Sequence, residues 1–498
     1  MSSKKVILAY SGGLDTSCIL VWLIENNYNV IAFMANIGQN EDFEAAKVKA
    51  HNLGALKVIV KDIRLSFLTD YVYPLLKSGA LYEDRYMMGT AIARPCIAAE
   101  MIRIAKEEGA QYVSHGATGK GNDQVRFELA CYALYPALKI IAPWKIPAFY
   151  ERFPGRPELF EYAKSKGVPL PSTLTPKTPW SVDANLMHTS YESGLLEDPY
   201  NSAPSDLYQT TADPFTDLTK HRDSENMNSI DLSKKRPKHA GKDDVSALKS
   251  EVSTDFCLSG TPSQPQEIEI EFKSGEPVKL IVYYSKGGGG HTLTKDDLIN
   301  KSSVKKSHGK EFSNDSVGDN NILMVIKNDP LSLFIKLNHI AGQHGVGRLD
   351  IVENRFVGMK SRGIYETPAF TVLFEAHRDL EALVLDREVR KIKRYLAERF
   401  SEQIYNGFWF SPECEYTRSC LELSERGLVS GFVKVILFKG HVYIISRKTS
   451  DPKLSLYNQD LVSMDVKGDY DPVDANGFIK INSLRLKEHQ RRKERMNF

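Results

Sequence analysis

The chain has 498 residues, more than one hydrophobic core usually organises, so two domains with an appendage are expected. An apolar fraction of 42%, a charged fraction of 26% and a formal net charge of +2 exclude any strong general attraction to nucleic acid or to a membrane surface. No apolar run approaches the ~18 residues of a membrane span, the N-terminus turns into a strand too soon for a secretory leader, and cysteines 18, 96, 131, 257, 414 and 420 form no CxxC pair, so a reducing, cytoplasmic setting is expected.

In chain order, residues 6–10 are a short apolar run that Gly12 and Gly13 break, and residues 16–25 put Ile19, Leu20 and Leu23 on one helical face. The strand–turn–helix pattern recurs as strand 30–37, helix 41–53 stopped by Gly54, strand 57–60 and a helix at about 66–77. Pro95 is expected in the first turn of a helix whose Ile97, Met101, Ile104 and Ala105 share a face, and strands 111–114 and 139–142 bracket one more helix. This alternation implies right-handed βαβ units, a parallel sheet covered on both faces, and ligands beyond the carboxyl ends of the strands. The fold class is therefore α/β for residues 1–168, read as a nucleotide-binding domain.

A proline-rich connector through Pro169, Pro171, Pro176 and Pro179 sets the boundary to an α+β second domain, 169–475. It holds a hairpin, 268–272 and 278–282, turning at Ser274 and Gly275, and a helix 330–341 ended by Gly342. A long amphipathic helix is expected from about 380 to 405, with Val384, Ile392, Leu396 and Phe400 near one face, then a hairpin that turns at Lys439 and Gly440. Polar stretches 210–265 and 285–320 are expected to be disordered insertions, and 476–498 a charged helical tail. Within the insertions, Gly287 to Gly290 lack a strand–helix frame and read as linker, and the basic cluster Lys234 to His239 reads as a solvated run. His339 with His344, and Cys414 with Cys420, lack the spacing of a zinc site.

Two constellations carry chemistry. SGGLDTS at 11–17, between a strand and a helix, brings backbone amides, the Ser11, Thr16 and Ser17 hydroxyls and a helix N-terminus to one place, which suits phosphate oxygens. Asp15 would be repelled there unless Mg²⁺ or a helix-capping role offsets it. SHGATGKGNDQVRFE at 114–128 repeats the pattern: Gly116, Gly119 and Gly121 admit a ligand, Thr118, Asn122 and Asp123 offer short polar groups, and Arg126 follows one helical turn later for a carboxylate.

The first loop lacks the Lys of a Walker A motif and the spacing of GxGxxG. It resembles the pyrophosphate loop of the ATP pyrophosphatase family, which splits ATP into AMP and pyrophosphate. With the second loop, ALYEDRYMMGTAIARP at 80–95, TPWSVDANLMHTSYESG at 178–194 and HGVGRLDIVENRFVGMKSRGIYETPA at 344–369, the chain resembles the argininosuccinate synthase family in its eukaryotic form. The resemblance covers 6–208, 268–283 and 322–487, with five long motifs in order.

This resemblance implies a carbon–nitrogen ligase that condenses citrulline with aspartate through a citrullyl-adenylate, using ATP with Mg²⁺ and no prosthetic group, protein-held metal or covalent nucleophile. It puts ATP on Ala9, Tyr10, Ser11, Gly12, Gly13, Leu14, Asp15, Thr16, Ser17, Ala35, His115 and Gly116. Aspartate falls on Thr118, Asn122 and Asp123, and citrulline on Tyr86, Asn122, Arg126, Ser181, Ser190, Glu353 and Tyr365; Asp15 and Asp123 are the expected catalytic positioning groups. Where the family commonly carries Ser, this chain has Ala91, so one hydroxyl is missing from the citrulline site. A homotetramer with the C-terminal helix on a neighbouring subunit is implied, with no nucleic-acid or membrane partner. The rival readings are a tRNA-thiolating adenylating enzyme, for which neither cysteine pairs nor a basic surface are present, and a noncatalytic nucleotide-binding scaffold.

Overall fold

The computed structural model describes residues 4–119, 121–169, 180–217, 260–284, 322–465, 468 and 470–496. Most of the expected insertions, Lys234 to His239, Gly287 to Gly290, Cys257 and the connector prolines 171, 176 and 179 lie outside the described residues.

The N-terminal part is built on β1 (Lys4–Ala9), β2 (Tyr28–Asn36), β3 (Lys57–Asp62), β4 (Tyr112–Ser114) and β5 (Lys139–Ile141), all parallel in the order β3-β2-β1-β4-β5. Alternate residues of β1 and β2 feed two cores. Val6, Leu8, Val30 and Ala32 meet Ile19 and Leu23 of helix Leu14–Glu25 and Phe149 on one face. Ile7, Ile31 and Phe33 meet Met101 and Ala105 of helix Gly89–Glu108 on the other. Successive strand side chains point to opposite faces, so a strand covered on both sides reads as the continuous apolar run seen at 6–9. Chain order reverses between β1 and β4, and the loops leaving these two neighbours meet at the switch point of the sheet.

Further strands are β6 (Ser181–Ala184), β7 (Thr189–Glu192), β8 (Asp213–Asp217), β9 (Gly260–Thr261), β10 (Gln266–Lys273), β11 (Glu276–Tyr283), β12 (Ile322–Lys327), β13 (Arg348–Asn354), β14 (Lys360–Glu366), β15 (Gly431–Phe438) and β16 (His441–Thr449). They form an antiparallel sheet β12-β11-β10-β15-β16, an antiparallel sheet β13-β14-β7-β6 and the short parallel pair β8-β9. The class is therefore parallel α/β followed by α+β, as expected. Both expected hairpins are present, with Ser274 and Gly275, and Lys439 and Gly440, at positive φ as a two-residue turn of this hand requires. A shared core joins the α+β part to the segment 63–96: Phe67, Leu76 and Ile92 are buried with Phe272, Phe334, Phe370 and Phe400.

Two helix expectations are corrected. Pro95 is not in a first turn; the helix starts six residues earlier at Gly89, and Pro95 lies inside it, where its missing N–H leaves the Ala91 carbonyl without the usual donor. The helix expected at 380–405 is two, Pro368–Val384 and Arg387–Tyr405, the second capped by Asp386, whose carboxylate accepts from the Glu388 and Val389 amides. Its inward face also differs: Ile392 is exposed, and Lys393 is buried instead. Lys393 Nζ bonds both Glu381 and Glu425, and His377 Nε2 lies 2.8 Å from Glu425 Oε2, so the lysine is held by a charged cluster rather than by apolar packing.

Removing that cation leaves two buried carboxylates facing each other. Lys393→Met should lower the unfolding free energy by about 3–5 kcal/mol, with Glu425→Gln in the same chain recovering part of the loss, as read from urea unfolding midpoints. Equal stability of Lys393→Met and the parent would show that the cluster contributes nothing.

Candidate active site

The loop after β1 opens with Tyr10, whose amide donates to the Phe33 carbonyl at 2.9 Å and whose hydroxyl lies 3.1 Å from Ser17 Oγ. Gly12 takes φ +74°, a conformation that side chains disfavour, and a Cβ there would stand 3.1 Å from that of Ala46. Ser11 Oγ and Thr16 Oγ1 are 3.1 Å apart, and Lys49 Nζ donates to the Gly12 carbonyl at 2.9 Å, which puts an ammonium beside the loop. No side chain caps helix Leu14–Glu25, so its first-turn amides are left for an anion. Burial pushes the Asp15 carboxyl above its ordinary range, against the opposing effect of Arg156 and the local backbone.

The loop after β4 lies directly against the first. Gly116 faces Thr16 Cγ2, at a distance a Cβ would reduce to 3.0 Å. His115 is buried, stacked on Phe127 with Nε2 3.3 Å from Glu128 Oε1, while Lys145 Nζ holds both oxygens of Glu128, at 2.6 Å and 2.8 Å. Asn122 Oδ1 accepts from the Phe356 amide at 3.1 Å and so fastens this loop to the turn after β13. Asp123, first residue of helix Asp123–Leu134, receives Arg94 Nη2 at 2.8 Å on one oxygen and Arg126 Nη1 at 3.0 Å on the other. Burial alone would raise its carboxyl; the two guanidiniums reverse that and hold it down at about 2.

Arg94 has a second anion. Its Nη2 also donates to Asp183 Oδ2 at 2.6 Å, and Thr90, one turn earlier on the same helix, donates to that oxygen at 3.3 Å. Asp183 sits in β6 opposite Ser190 of β7, whose hydroxyl donates to the Asp183 carbonyl at 3.2 Å. His188 Nε2 lies 2.8 Å from Thr90 Oγ1, and burial followed by Arg94 and Arg126 drives the imidazole down to about 3, hence neutral.

Tyr86 comes from a tight loop in which Tyr82 and Tyr86 exchange backbone hydrogen bonds of 2.9 Å and Glu83, Asp84 and Met88 all take positive φ. Three strained non-glycine residues in six positions mark a conformation imposed by its surroundings. The Tyr86 ring stacks on Tyr365 at 4.3 Å, Tyr365 stacks on His188 at 5.8 Å, and Tyr365 Oη donates to Glu353 Oε1 at 3.0 Å. Gly363, two residues before Tyr365 on the same face of β14, leaves the space its hydroxyl fills, which any side chain would occupy. Tyr405, ending helix Arg387–Tyr405, has the Arg126 guanidinium over its ring at 4.9 Å and its carbonyl bonded by Arg126 Nε at 2.9 Å.

Among the described residues, two buried side-chain atoms around this aromatic group, His188 Nδ1 and Arg94 Nε, make no hydrogen bond, while the Tyr405 hydroxyl stands against the Glu353 carboxylate as its donor. Buried polar atoms are rarely left so, and a cluster of them marks space for a polar ligand.

The residues expected from sequence stand in two adjoining groups. Ala9 to Ser17, His115 and Gly116 gather at the β1–β4 switch, and Ala35 is the last residue but one of the neighbouring β2, its carbonyl accepting from Gln39 Nε2 at 2.8 Å. Tyr86, Asn122, Asp123, Arg126, Glu353 and Tyr365 are joined through the contacts above. Ser181 and Thr118 are exposed, and neither side chain has a hydrogen bond among the described residues; Ala91 is fully buried beside Thr90. Lys49, Thr90, Arg94, Asp183, His188 and Tyr405 were not singled out from sequence. Four of them lie within quoted motifs, where only pairing across β6 and the helix Gly89–Glu108 reveals them; Lys49 and Tyr405 lie outside every motif.

Residues 5–169 match the family model described as the arginosuccinate synthase N-terminal HUP domain, and residues 180–254 and 321–489 match that of the arginosuccinate synthase C-terminal domain. The chain is 53% identical to the argininosuccinate synthase of Danio rerio over 99% of this chain and 97% of the relative. It is 52% identical to that of Xenopus tropicalis over the whole of both chains, and 51% identical to that of Homo sapiens over 99% and 98%.

Because the folded Asp123 carboxyl, at about 2, lies below the ordinary 3.8, its contribution to stability is complete above about pH 4 and is lost as the pH falls through about 2. Asp123→Asn should therefore flatten the acid limb of a stability-versus-pH curve in that window; an identical acid limb in parent and variant would contradict the pairing.

Proposed function

Since the chain belongs to the argininosuccinate synthase family, and is thus a ligase of arginine biosynthesis that joins L-citrulline to L-aspartate using ATP, we propose how its own residues divide that work. The observation that carries the proposal is the junction of the two glycine loops at the β1–β4 switch with a carboxylate, Asp123, clamped between two guanidiniums.

The reaction forms a bond from the citrulline ureido oxygen to the α-phosphorus as pyrophosphate leaves, then a bond from the aspartate amine to the ureido carbon as AMP leaves. Neither step uses an enzyme nucleophile, so the protein contributes placement and charge. The triphosphate lies over the amides of Gly12 to Asp15 and the hydroxyls of Ser11, Thr16 and Ser17, with Lys49 adding positive charge; Ala9, Tyr10, Leu14, Ala35, His115 and Gly116 form the walls around the nucleotide. Mg²⁺ arrives with ATP, and the raised Asp15 carboxyl is the group that gains from it.

Aspartate is assigned to Thr118, Asn122 and Asp123. Held near 2, Asp123 stays ionised at neutral pH, so it binds the substrate ammonium and is too weak a base to take its proton. Citrulline is assigned to Tyr86, Asn122, Arg126, Ser181, Ser190, Glu353 and Tyr365. Arg126 keeps Nη2 for the α-carboxylate, its other nitrogens being engaged, and the Glu353 carboxylate, oriented by the Tyr365 and Tyr405 hydroxyls, takes the α-ammonium.

In the division into 1–168, 169–475 and 476–498, the first boundary is supported by the place where the two family models meet, whereas the second model continues to 489 and so into the tail. Helix Asp474–Arg495 buries no residue and exposes Phe478, Ile481 and Leu484, which supports its docking on another subunit of a homotetramer. No helix among the described residues is long and apolar enough to cross a membrane, and the cytoplasmic assignment is part of the same reading.

Purified protein should release pyrophosphate from ATP only when citrulline is supplied, and form argininosuccinate only when aspartate is added as well; turnover that needs tRNA instead, or no turnover at saturating substrate, would reject the assignment. Asp123→Ala should raise the KM for aspartate far more than that for ATP. Ala91→Ser should lower the KM for citrulline roughly 2- to 12-fold if the restored hydroxyl makes one hydrogen bond, and an unchanged KM would show that position 91 does not reach the substrate.

A further inference from the structure

Helix Phe43–Asn52 starts at Asp42, whose carboxylate accepts from the Ala45 amide at 2.9 Å, and lays a stripe of small side chains against the nucleotide sheet: Ala46 faces Gly12, and Ala50 is fully buried. Lys49, three residues after Ala46, belongs to that inward stripe. A lysine in the last turn of a helix ordinarily turns to the closing carbonyls of that helix or to a nearby carboxylate. Lys47 on the outer side does the second, with Glu44 at 3.8 Å. Lys49 does neither. Its Nζ crosses to the loop after β1 and donates to the Gly12 carbonyl at 2.9 Å, and among the described residues it makes no ion pair.

The carbonyl so held belongs to the freest peptide of the loop. Gly12 has φ +74° and Gly13 φ −69°, and no side chain on either residue resists rotation of the plane between them. In a trans peptide the carbonyl and the following amide point in opposite directions. With the Gly12 oxygen drawn to Lys49, the Gly13 N–H points the other way, toward Ser11 Oγ at 3.5 Å, on the side where the Ser11 and Thr16 hydroxyls stand 3.1 Å apart. That contact is too long to satisfy the amide, which is left for an anion. Turned over, the same peptide would place an oxygen there, where two hydroxyls would donate to it and a phosphate would be repelled. The turn carries φ of Gly13 into the positive range, which glycine enters freely. Against it stand Lys49 and, more weakly, Ser17 Oγ, which reaches the Gly12 oxygen at 3.4 Å.

We propose that Lys49 is a positioning residue for the adenylation step: its ammonium locks the Gly12–Gly13 peptide with the amide facing the triphosphate, and so acts on phosphate through the backbone rather than by touching it. This rests on the reading of residues 11–17 as the triphosphate loop, and gives a lysine outside every motif a defined part in it. The bond also polarises the peptide, so the N–H becomes a stronger donor to the pyrophosphate as it leaves.

The test is kinetic, on the full-length enzyme, with Lys49→Met, Gly13→Ala and the two combined. Lys49→Met should lower kcat/KM for ATP on the order of tenfold, a charged hydrogen bond's worth. The KM for citrulline and for aspartate should stay within about twofold, and the melting temperature without nucleotide should not fall. In the Gly13→Ala chain, where the peptide is barred from turning, the same substitution should cost less than about twofold. A full loss in both backgrounds would show that Lys49 acts on phosphate by its own charge, and no loss in the parent would take it out of the site. Equal rises in KM for all three substrates with a lowered melting temperature would make it a residue of the fold; each of these overturns the inference. Should Gly13→Ala not use ATP, a crystal structure of Lys49→Met decides instead: the Gly12 carbonyl turned toward Ser11 and Thr16 supports the inference, and the parental orientation overturns it. A Ser11→Ala, Thr16→Val chain with the parental KM for ATP would remove the reading of the loop on which it rests.

Discussion

One guanidinium ties the site together. Arg94 reaches from the helix Gly89–Glu108 to Asp123 at the mouth of the nucleotide sheet and to Asp183 in β6, two carboxylates that come from different layers of the molecule. A carboxylate removed from water is stable only with a partner, so Asp123 depends on Arg94 and Arg126 for its charged form, and Arg94 is held in place by both aspartates. The nucleotide loops and the β6–β7 hairpin are thereby set at a fixed distance before any substrate arrives. A single nitrogen, Nη2, reaches both carboxylates, and Nη1 at 3.5 Å from the second oxygen of Asp183 adds the other prong of the guanidinium to one of them.

Fixed charge of this sort is what a two-step adenylation requires. The reacting atoms all belong to substrates, and a rate gain must come from holding the ureido oxygen in line with the α-phosphorus and then the amine against the ureido carbon. The Asp123 carboxyl, kept near 2, cannot drift between roles with pH, and His188, driven down to about 3, stays neutral beside it. These two groups thus keep their charge states constant across the physiological range. Protons released by the aspartate ammonium must leave by way of substrate oxygens or water, since neither of these two groups is basic enough to take them.

Legibility followed range along the chain. SGGLDTS and the 114–128 loop could be read because a phosphate nest is local: glycines, short hydroxyls and a helix start occupy consecutive positions. Strand order and the switch point could be anticipated only as a class, and the adjacency of β1 and β4 came from the structure. Arg94 stood in a quoted motif and was passed over because its meaning lies in Asp183, 89 residues away. Apolar periodicity misled at 380–405, where it ran through the Asp386 cap and assigned the inward face to Ile392; Lys393 holds that face because Glu381 and Glu425 meet it there, and no pattern of hydrophobicity reports a buried ion pair. Pro95 misled in a related way, since proline marks a helix start only on average and Gly89 and Thr90 could as easily have been loop.

The buried Lys393 cluster and the site are also two ends of one lever. Helix Arg387–Tyr405 is pinned near its start by Lys393 and delivers Tyr405 to Arg126 at its end, while helix Pro368–Val384, which contributes His377 and Glu381, follows directly on the strand that carries Tyr365. Both helices therefore run from one electrostatic anchor to one aromatic wall. Twelve residues of helix separate Lys393 from Tyr405, about 18 Å at 1.5 Å per residue, so anchor and wall make no direct contact and are joined only by the helix. A glycine after Tyr405 completes the arrangement: Gly407, at φ +93°, lets the chain pass within van der Waals range of the Arg126 backbone, and a side chain there would press on the residue that orients Asp123. The aromatic wall is thus set in part by a helix that no motif contains, while the glycine loops after β1 and β4 are set by their own sequences.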